Sequence, residues 1–530
     1  MRPNQVGGHA AIALLEAYGV DTVFGIPGVH TLELYRGLAD RKMRHIGVRH
    51  EQGAGFMADG YARASGRPGV ACLITGPGLM NAATPIGQAY SDSVPVLVLA
   101  SVNDSADLGK GRGRLHEVTD QHAAIAPLTG LTRTIKSPAE LPEAMAEAFR
   151  LFESARPRPA VLNLTLDMLR APAEVGDAQR ARSARPQARA ADLDAAARLI
   201  DAAERPMVIF GGGCVDCADE ARAFLRKSGA IAVTTTAGKG VIADSDPATV
   251  GSTLQGDATQ KALAEADVVI AVGTELAETD HWSDSLTFRG KIIRIDLDAP
   301  TLTRDYAPAV ALLADAGPAL AALTARIRAG RALDTARVAA IRTSNTTDIP
   351  PLEQKHIAVL DAVRAALPRD GQVFTDMTQI AYTANFYFPC EVPRRWFHPL
   401  GFGTLGYAMP AAIGGQIACP GRPTIAIAGD GGFLFTMQEL GTAVELGLPL
   451  PILVWNNDAF GQIAYGMNKR DIPELGVRQR NPDYLALARA FGAEAVRPDS
   501  LTALKDAIST AFSAKGPTLI EVREDAPFLS

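Results

Sequence analysis

The stretch Thr424-Ile425-Ala426-Ile427-Ala428-Gly429-Asp430-Gly431-Gly432, read with Leu450-Pro451-Ile452-Leu453-Val454-Trp455-Asn456-Asn457 after it, decides the fold. Each segment opens as a short apolar run of strand length, and the periodic stretch Phe433 to Leu446 between them predicts a helix. Strand, helix and strand in this order make a parallel unit, so both polar ends fall at the carboxyl ends of neighbouring strands. Asp430 brings a carboxylate and Asn457 an amide oxygen, while Gly431 and Gly432 let backbone approach closely. A hard divalent cation takes oxygen ligands, and a helix N-terminus offers N–H groups to phosphate oxygens. The arrangement reads as a clamp for a diphosphate and its magnesium ion. A Gly-rich turn and a strand ending in Asn-Asn, a pair suited to tight turns, is the plain alternative.

The rest of the chain limits the choices. At 530 residues it predicts three domains rather than one core. Its net charge of −6 comes with no basic stripe, which argues against nucleic acid. The longest apolar runs are strand-length, which argues against a membrane span. Glu16 and Asp21 interrupt the apolar N-terminus without a clear cleavage site, so no signal peptide is expected. Five cysteines in so long a chain suggest a reducing, cytoplasmic setting. Cys214 and Cys217 form a C-x-x-C with no second pair and no nearby His, and read as small apolar residues after a strand.

Two stretches thin in large apolar residues, Arg170 to Ala191 and Ala329 to Pro351, read as linkers. Each third between them alternates Val/Ile/Leu runs with helical patterns, the mark of an α/β protein built on parallel sheets. The outer thirds resemble each other. Val70 to Ile74, Gly76-Pro77-Gly78, a helical stretch and Val96 to Ala100 mirror the strand, Gly-Asp-Gly, helix and strand quoted above. In the middle third, Met207 to Phe210 leads into Gly211-Gly212-Gly213, which is not G-x-G-x-x-G. Asp296, after the strand Lys291 to Ile295, is too distant to complete a dinucleotide fingerprint.

A second chemical element lies at Arg49-His50-Glu51-Gln52, between a short strand and the helical stretch Gly53 to Arg63. Glu51 at that junction is favoured by the helix dipole, which alone would explain a first-turn acid. Gly25-Ile26-Pro27-Gly28, the Glu51 segment with Ala58-Asp59-Gly60-Tyr61-Ala62-Arg63, and Thr75-Gly76-Pro77-Gly78 together resemble the pyrimidine-binding domain of acetolactate-synthase-like thiamin diphosphate enzymes. Gly403-Thr404-Leu405-Gly406-Tyr407 and the Gly-Asp-Gly to Asn-Asn span resemble their diphosphate-binding domain. The resemblance covers nearly the whole chain in order.

It implies a pyrimidine-binding domain over 1–169, a central Rossmann-like domain over 192–328 and a diphosphate-binding domain over 352–530, all α/β. It implies that Glu51 activates the aminopyrimidine so that a thiazolium ylid forms, adds to a 2-oxo acid and yields an enamine after CO2 leaves. Asp430, Asn457 and the backbone carbonyl of Ala459 would hold Mg2+. Gly28, Gly76, Gly78, Gly403, Gly429, Gly431 and Gly432 would line the cofactor, and Leu405 would wedge it into a bent shape. The family builds each site from two subunits, which implies a homodimer at least and commonly a homotetramer.

Within the family, Glu275 in Gly273-Thr274-Glu275 stands where FAD-containing relatives carry Arg, which argues against FAD. His30 follows a loop that lines the active site in relatives, and His116 in Leu115-His116-Glu117 replaces a usual amide. Either could move a proton or orient the substrate carboxylate; a backbone-capping or structural role is the alternative. Ile463 falls where pyruvate decarboxylases place a Glu. The segments Gly25 to Arg36 and Gly111 to Glu117 look closest to 5-guanidino-2-oxopentanoate decarboxylases. A guanidinium tail requires a carboxylate partner, for which Glu117, Asp120, Asp471 and Glu474 are candidates; Lys110, Arg112 and Arg114 could equally hold an anion. The expected activity is therefore decarboxylation of a 2-oxo acid. The alternatives are a carboligase that joins the enamine to a second carbonyl, a catalytically silent assembly subunit, and a nucleotide sensor using the middle domain.

Overall fold

The computed structural model describes residues 5–174, 180–181, 183–328 and 330–530. The first four residues of the N-terminal domain, and 175–179, 182 and 329 of the two linkers, lie outside the described residues. The chain divides into two compact units, one of Met1–Ala184, Pro399–Arg497 and Ala511–Glu521, the other of Arg185–His398, Pro498–Thr510 and Val522–Ser530.

In the first unit, β1 (Thr22–Gly25), β2 (Arg44–Gly47), β3 (Gly69–Leu73), β4 (Val96–Val102), β5 (Leu131–Ile135) and β6 (Ala160–Thr165) form a parallel sheet in the order β2-β1-β3-β4-β6-β5. Central strands such as β4 are buried along their whole length, which is why they read as unbroken apolar runs. Because β1 has β2 on one side and β3 on the other, the order reverses there, and a crevice opens at the carboxyl ends.

The second unit holds β7 (Pro206–Phe210), β8 (Ile231–Thr234), β9 (Val268–Val272), β10 (Lys291–Asp296) and β11 (Val310–Leu313), parallel in the order β11-β10-β9-β7-β8. A parallel pair, β12 (Gln372–Thr375) and β13 (Trp396–Phe397), belongs to the same unit. The stretch read as a bare linker before Pro351 carries a helix, Thr335–Asn345, capped by Asp334 and burying Val338 and Ile341. Two apolar residues one turn apart among Ala, Arg and Thr are too weak a stripe to announce it.

The first unit also contains β14 (Thr424–Gly429), β15 (Pro451–Asn456), β16 (Glu494–Val496) and most of β17 (Thr518–Arg523), in the order β14-β15-β17-β16. This is the order β3-β4-β6-β5 of the first sheet, so the internal repeat extends to topology. The helix expected from Phe433 to Leu446 is two, Asp430–Thr436 and Glu439–Glu445. Met437 and Gln438 between them keep helical dihedrals, but the bonds tighten to Leu440 N–Met437 O and Gly441 N–Gln438 O. Beside them, Thr436 donates to the carbonyl of Gly406 (2.7 Å) and Glu439 accepts from the amides of Arg49 and His50.

Two helices of this unit, Glu51–Ser65 and Ala408–Ala418, pack backbone against backbone. A Cβ on Gly60 would lie 2.0 Å from the carbonyl oxygen of Ala411, and one on Gly414 would lie 2.0 Å from that of Met57. Among the described residues no helix is long and apolar enough to cross a membrane.

Candidate active site

The carboxyl edge of the first sheet gathers the N-terminal candidates. Glu51 is the first residue of its helix, after His50 as N-cap, and its Oε2 accepts a hydrogen bond from Asn81 Nδ2 at 2.9 Å. A Cβ on Gly78 would stand 3.5 Å from Glu51 Oε1, an ordinary contact, so the carboxylate lies beside this glycine without requiring it. Gly28 and Gly78 both close on Ile74, where a Cβ would come within 2.4 and 2.6 Å of its side chain. Gly76 has φ +65°, and a Cβ there would meet the His116 carbonyl at 2.5 Å.

His30 lies beyond β1 and does not cap a helix; its Nδ1 is 3.0 Å from Thr75 Oγ1. Thr75 donates its own hydroxyl hydrogen to Ser101 Oγ, so it accepts from His30, which assigns the proton to Nδ1 and leaves Nε2 an acceptor. Burial, and then the neighbouring His116, lower the pKa of His30, which keeps the ring neutral at pH 7. The two rings meet edge to face at 5.1 Å. His116 has φ +61°, and its buried Nδ1 has no hydrogen-bond partner among the described residues. A non-glycine residue held in the left-handed region stores local strain, a feature that concentrates at functional sites. The turn behind it is fixed by Gln121, which accepts from Gly76 N (2.8 Å) and donates to Asn163 Oδ1 (2.8 Å) and the Ser101 carbonyl (2.9 Å).

Asp430 and the Asn pair meet because β14 and β15 are adjacent, with Gly429 in register with Trp455. Asp430 opens its helix after Gly429, and its carboxylate accepts from Gly431 N (2.9 Å), Ala459 N (3.3 Å) and Asn481 Nδ2 (2.8 Å). Burial raises its pKa, opposed by those donors. Asn481, which sequence reading missed, also donates to Asn456 Oδ1 and Asp458 Oδ1, each at 3.1 Å. Three oxygens from three residues thus converge on one N–H2 group. A buried carboxylate whose hydrogen-bond partners are neutral N–H donors, set among further oxygens, has the donor chemistry a hard cation takes, so the residues fit magnesium. Asn457 is half-buried and Ala459 buried on the same turn. Gly431 is required by a neighbour, since a Cβ would meet the ring of Phe460 at 2.7 Å. Gly432 is buried one residue further on.

The loop carrying Leu405 is held from the N-terminal half. Asp92 accepts from the amides of Leu400 (3.1 Å) and Gly401 (2.8 Å), and Gln88 accepts from the Thr404 amide and hydroxyl. Arg63 joins Asp92 (2.8 Å) to Asp59 (2.6 Å), and Asp59 accepts from Tyr407 Oη (2.7 Å). The Asp-Gly-Tyr-Ala-Arg segment is therefore a buried tether for this loop. Gly403 (φ +67°) and Gly406 (φ +83°) bracket Leu405, which stays half-buried at the bend.

Several other candidates are occupied locally. Asp107 pairs with both Arg112 (2.7 Å) and Arg114 (2.9 Å), and its single charge offsets one of the cluster's positive charges. Glu117 accepts from the Arg112 and Arg114 amides, Asp120 caps the following helix, and Glu474 pairs with Arg478 at 2.7 Å. Asp471 is exposed, without a side-chain partner among the described residues. In the second unit, a Cβ on Gly211 would lie 2.2 Å from the Gly273 carbonyl, so the glycine-rich turn after β7 packs against the loop after β9. Arg294 is buried against the carbonyls of Thr274, Glu275 and Arg304. Cys214 and Cys217 are buried and bonded to backbone carbonyls.

Two α/β halves of one topology, one presenting a glutamate at a helix start and the other an oxygen cluster at adjacent strand ends, have the donor sets that a diphosphate cofactor and its metal take. Residues 5–124 match the model of the thiamine pyrophosphate enzyme N-terminal binding domain, 193–323 that of the central domain and 376–522 that of the C-terminal binding domain. The chain is 48% identical over 531 residues to a probable 2-ketoarginine decarboxylase of Pseudomonas aeruginosa, covering 99% of this chain and 95% of that protein. It is 32% identical to the acetolactate synthase large subunit of Parasynechococcus marenigrum (98% and 88% covered). It is 30% identical to the isozyme 1 large subunit of that enzyme in Escherichia coli (99% and 95% covered). The chain belongs to the thiamine pyrophosphate (thiamin diphosphate) enzyme family.

Proposed function

We propose that this protein is a thiamin diphosphate- and Mg2+-dependent decarboxylase of a 2-oxo acid, with 5-guanidino-2-oxopentanoate (2-ketoarginine) as substrate. The observation that carries the cofactor chemistry is that Glu51 and the Asp430 cluster stand on two sheets of matching strand order; the full-length relative named as a probable 2-ketoarginine decarboxylase supports the reaction and the substrate. Asp430, Asn457 and the Ala459 carbonyl hold the metal, and the backbone at Gly429, Gly431 and Gly432 holds the diphosphate. Gly28, Gly76, Gly78 and Gly403 shape the two loops, and Leu405 props the cofactor. When bound, thiamin diphosphate supplies the electron sink that lets a 2-oxo acid lose CO2.

Glu51 holds and returns a proton at the aminopyrimidine. His30, neutral with Nε2 free to accept, takes a proton or hydrogen bond from the substrate side, while His116 orients it. The domains run over 1–169, 192–328 and 352–530. The protein works as a homodimer or homotetramer in the cytoplasm, a reading supported by large apolar side chains left about half exposed, such as Phe402 and Phe435. The test incubates the Mg2+-loaded holoenzyme with guanidino, aromatic and branched 2-oxo acids, with and without added aldehyde. Fastest release of CO2 and 4-guanidinobutanal from the guanidino acid supports the reading. A hydroxyketone as main product would support the carboligase alternative, which acetolactate synthase relatives at about 30% identity keep in view.

A further inference from the structure

Glu439 is fully buried and lies far from Glu51 in sequence, yet it grips the turn on which Glu51 stands. Its Oε1 accepts from His50 N at 2.9 Å and Arg49 N at 3.1 Å, and its Oε2 from Thr442 Oγ1 at 2.7 Å and Arg49 N at 3.2 Å. A Cβ on Gly53 would lie 2.4 Å from Oε1, so the first turn of the Glu51 helix rests directly on this carboxylate. The same short helix reaches Arg49 a second time through Glu445.

We propose that Glu439 is a positioning residue for Glu51, setting the strand–helix elbow from the C-terminal half of the same chain without touching substrate. The proposal rests on the reading of Glu51 as the group that activates the cofactor. The Thr442 hydroxyl can turn to accept a proton added to Oε2, but Oε1 is held only by the amides of Arg49 and His50, and neutralising the carboxylate weakens both of those charge-assisted bonds. Burial pushes Glu439 up to about 7, with Thr442 and the two amides holding it down in part. The charged or titratable side chains on the segment it holds are the Arg49 guanidinium, which Glu445 offsets, the His50 ring, which accepts from Gln52 N, and Glu51, whose carboxylate is bonded to Asn81. The elbow is therefore tightest above neutral pH and loosens as pH falls through about 7.

The test compares wild type, Glu439→Gln, Thr442→Val and Glu51→Gln as full chains. Amide hydrogen exchange over 49–53 is followed without cofactor, and exchange of the thiazolium C2 proton is followed with thiamin diphosphate and Mg2+, from pH 5.5 to 8.5. Glu439→Gln is expected to speed the amide exchange and slow the C2 exchange by about tenfold each, the effect of one lost buried hydrogen bond. It should also abolish the midpoint near neutral pH. Thr442→Val keeps the carboxylate but removes a donor, so its midpoint moves up; it decides the question if Glu439→Gln does not fold. Wild-type C2 exchange in Glu439→Gln, unchanged amide exchange over 49–53, or an unmoved midpoint in Thr442→Val each overturns the proposal. Unchanged C2 exchange in Glu51→Gln overturns instead the reading of Glu51, and the amide data still report on Glu439.

Discussion

At the scale of single residues, Glu51 and Asp430 are carboxylates on helix first turns whose partners differ. Among the described residues Glu51 has one side-chain hydrogen-bond partner, Asn81, on Oε2 and none on Oε1. Asp430 is buried under three N–H donors, the setting of a ligand rather than of a proton carrier. Glu51→Gln should then lower kcat by about 100-fold or more, the usual weight of a general acid–base group, while thiamin diphosphate binding by fluorescence titration stays intact. Loss of binding in step with activity would make Glu51 a structural acid. Both residues were legible in the sequence because each sits in a short local motif. Asn481 and Glu439 were not: Asn481 meets Asp430 across 51 residues and Glu439 meets Arg49 across 390, and no local pattern encodes a partner at such separation.

At the scale of elements, the parallel sheets were legible because strands buried on both faces must be apolar throughout. The break of the predicted Phe433–Leu446 helix was not, since it falls between Thr436 and Glu439, whose partners Gly406 and His50 lie far away in sequence. The packing of Glu51–Ser65 on Ala408–Ala418 depends on glycines that look ordinary in sequence. Gly60→Val should destabilise the protein by about 1–3 kcal/mol through overpacking, measured by urea denaturation; a neutral effect would mean the helices can part freely. The elbow adds a pH term. The folded pKa of Glu439, about 7, lies above its ordinary 4.5, so the folded state binds the proton more tightly than the unfolded chain. Its stabilisation is complete below about 4.5 and is lost as pH rises through about 7. Relative to wild type, Glu439→Gln should gain on the order of 3 kcal/mol between pH 5 and pH 8 in urea midpoints. A constant difference between the two would rule out this titration. The charge that orders the elbow thus costs stability at the pH where it orders it.

At the scale of the whole molecule, the first unit of one chain contains a glutamate edge and an oxygen-cluster edge, joined by Glu439 and by the Asp59–Arg63–Asp92 tether. Two edges of matching topology invite a pseudo-symmetric arrangement in which each faces its complement on a second copy, as a two-fold interface requires. The distinction between a site within one chain and a site shared by two can be made with inactive variants. In a dimer of Glu51→Gln with Asp430→Ala, a shared site pairs the intact Glu51 of one subunit with the intact Asp430 of the other. The second site of that dimer carries both lesions. Random reassembly of equal amounts makes about half the dimers mixed, each with one sound site of two, so about a quarter of wild-type turnover should return. If each site lies within one chain, every site in every dimer carries one lesion, and the mixture stays as inactive as its parts. The assay needs subunit exchange by dilution and reconcentration with thiamin diphosphate and Mg2+ present, followed by CO2 release from the guanidino acid. A mixed dimer isolated by two affinity tags separates failed exchange from an unshared site, because it should then carry about half of wild-type activity per dimer or none.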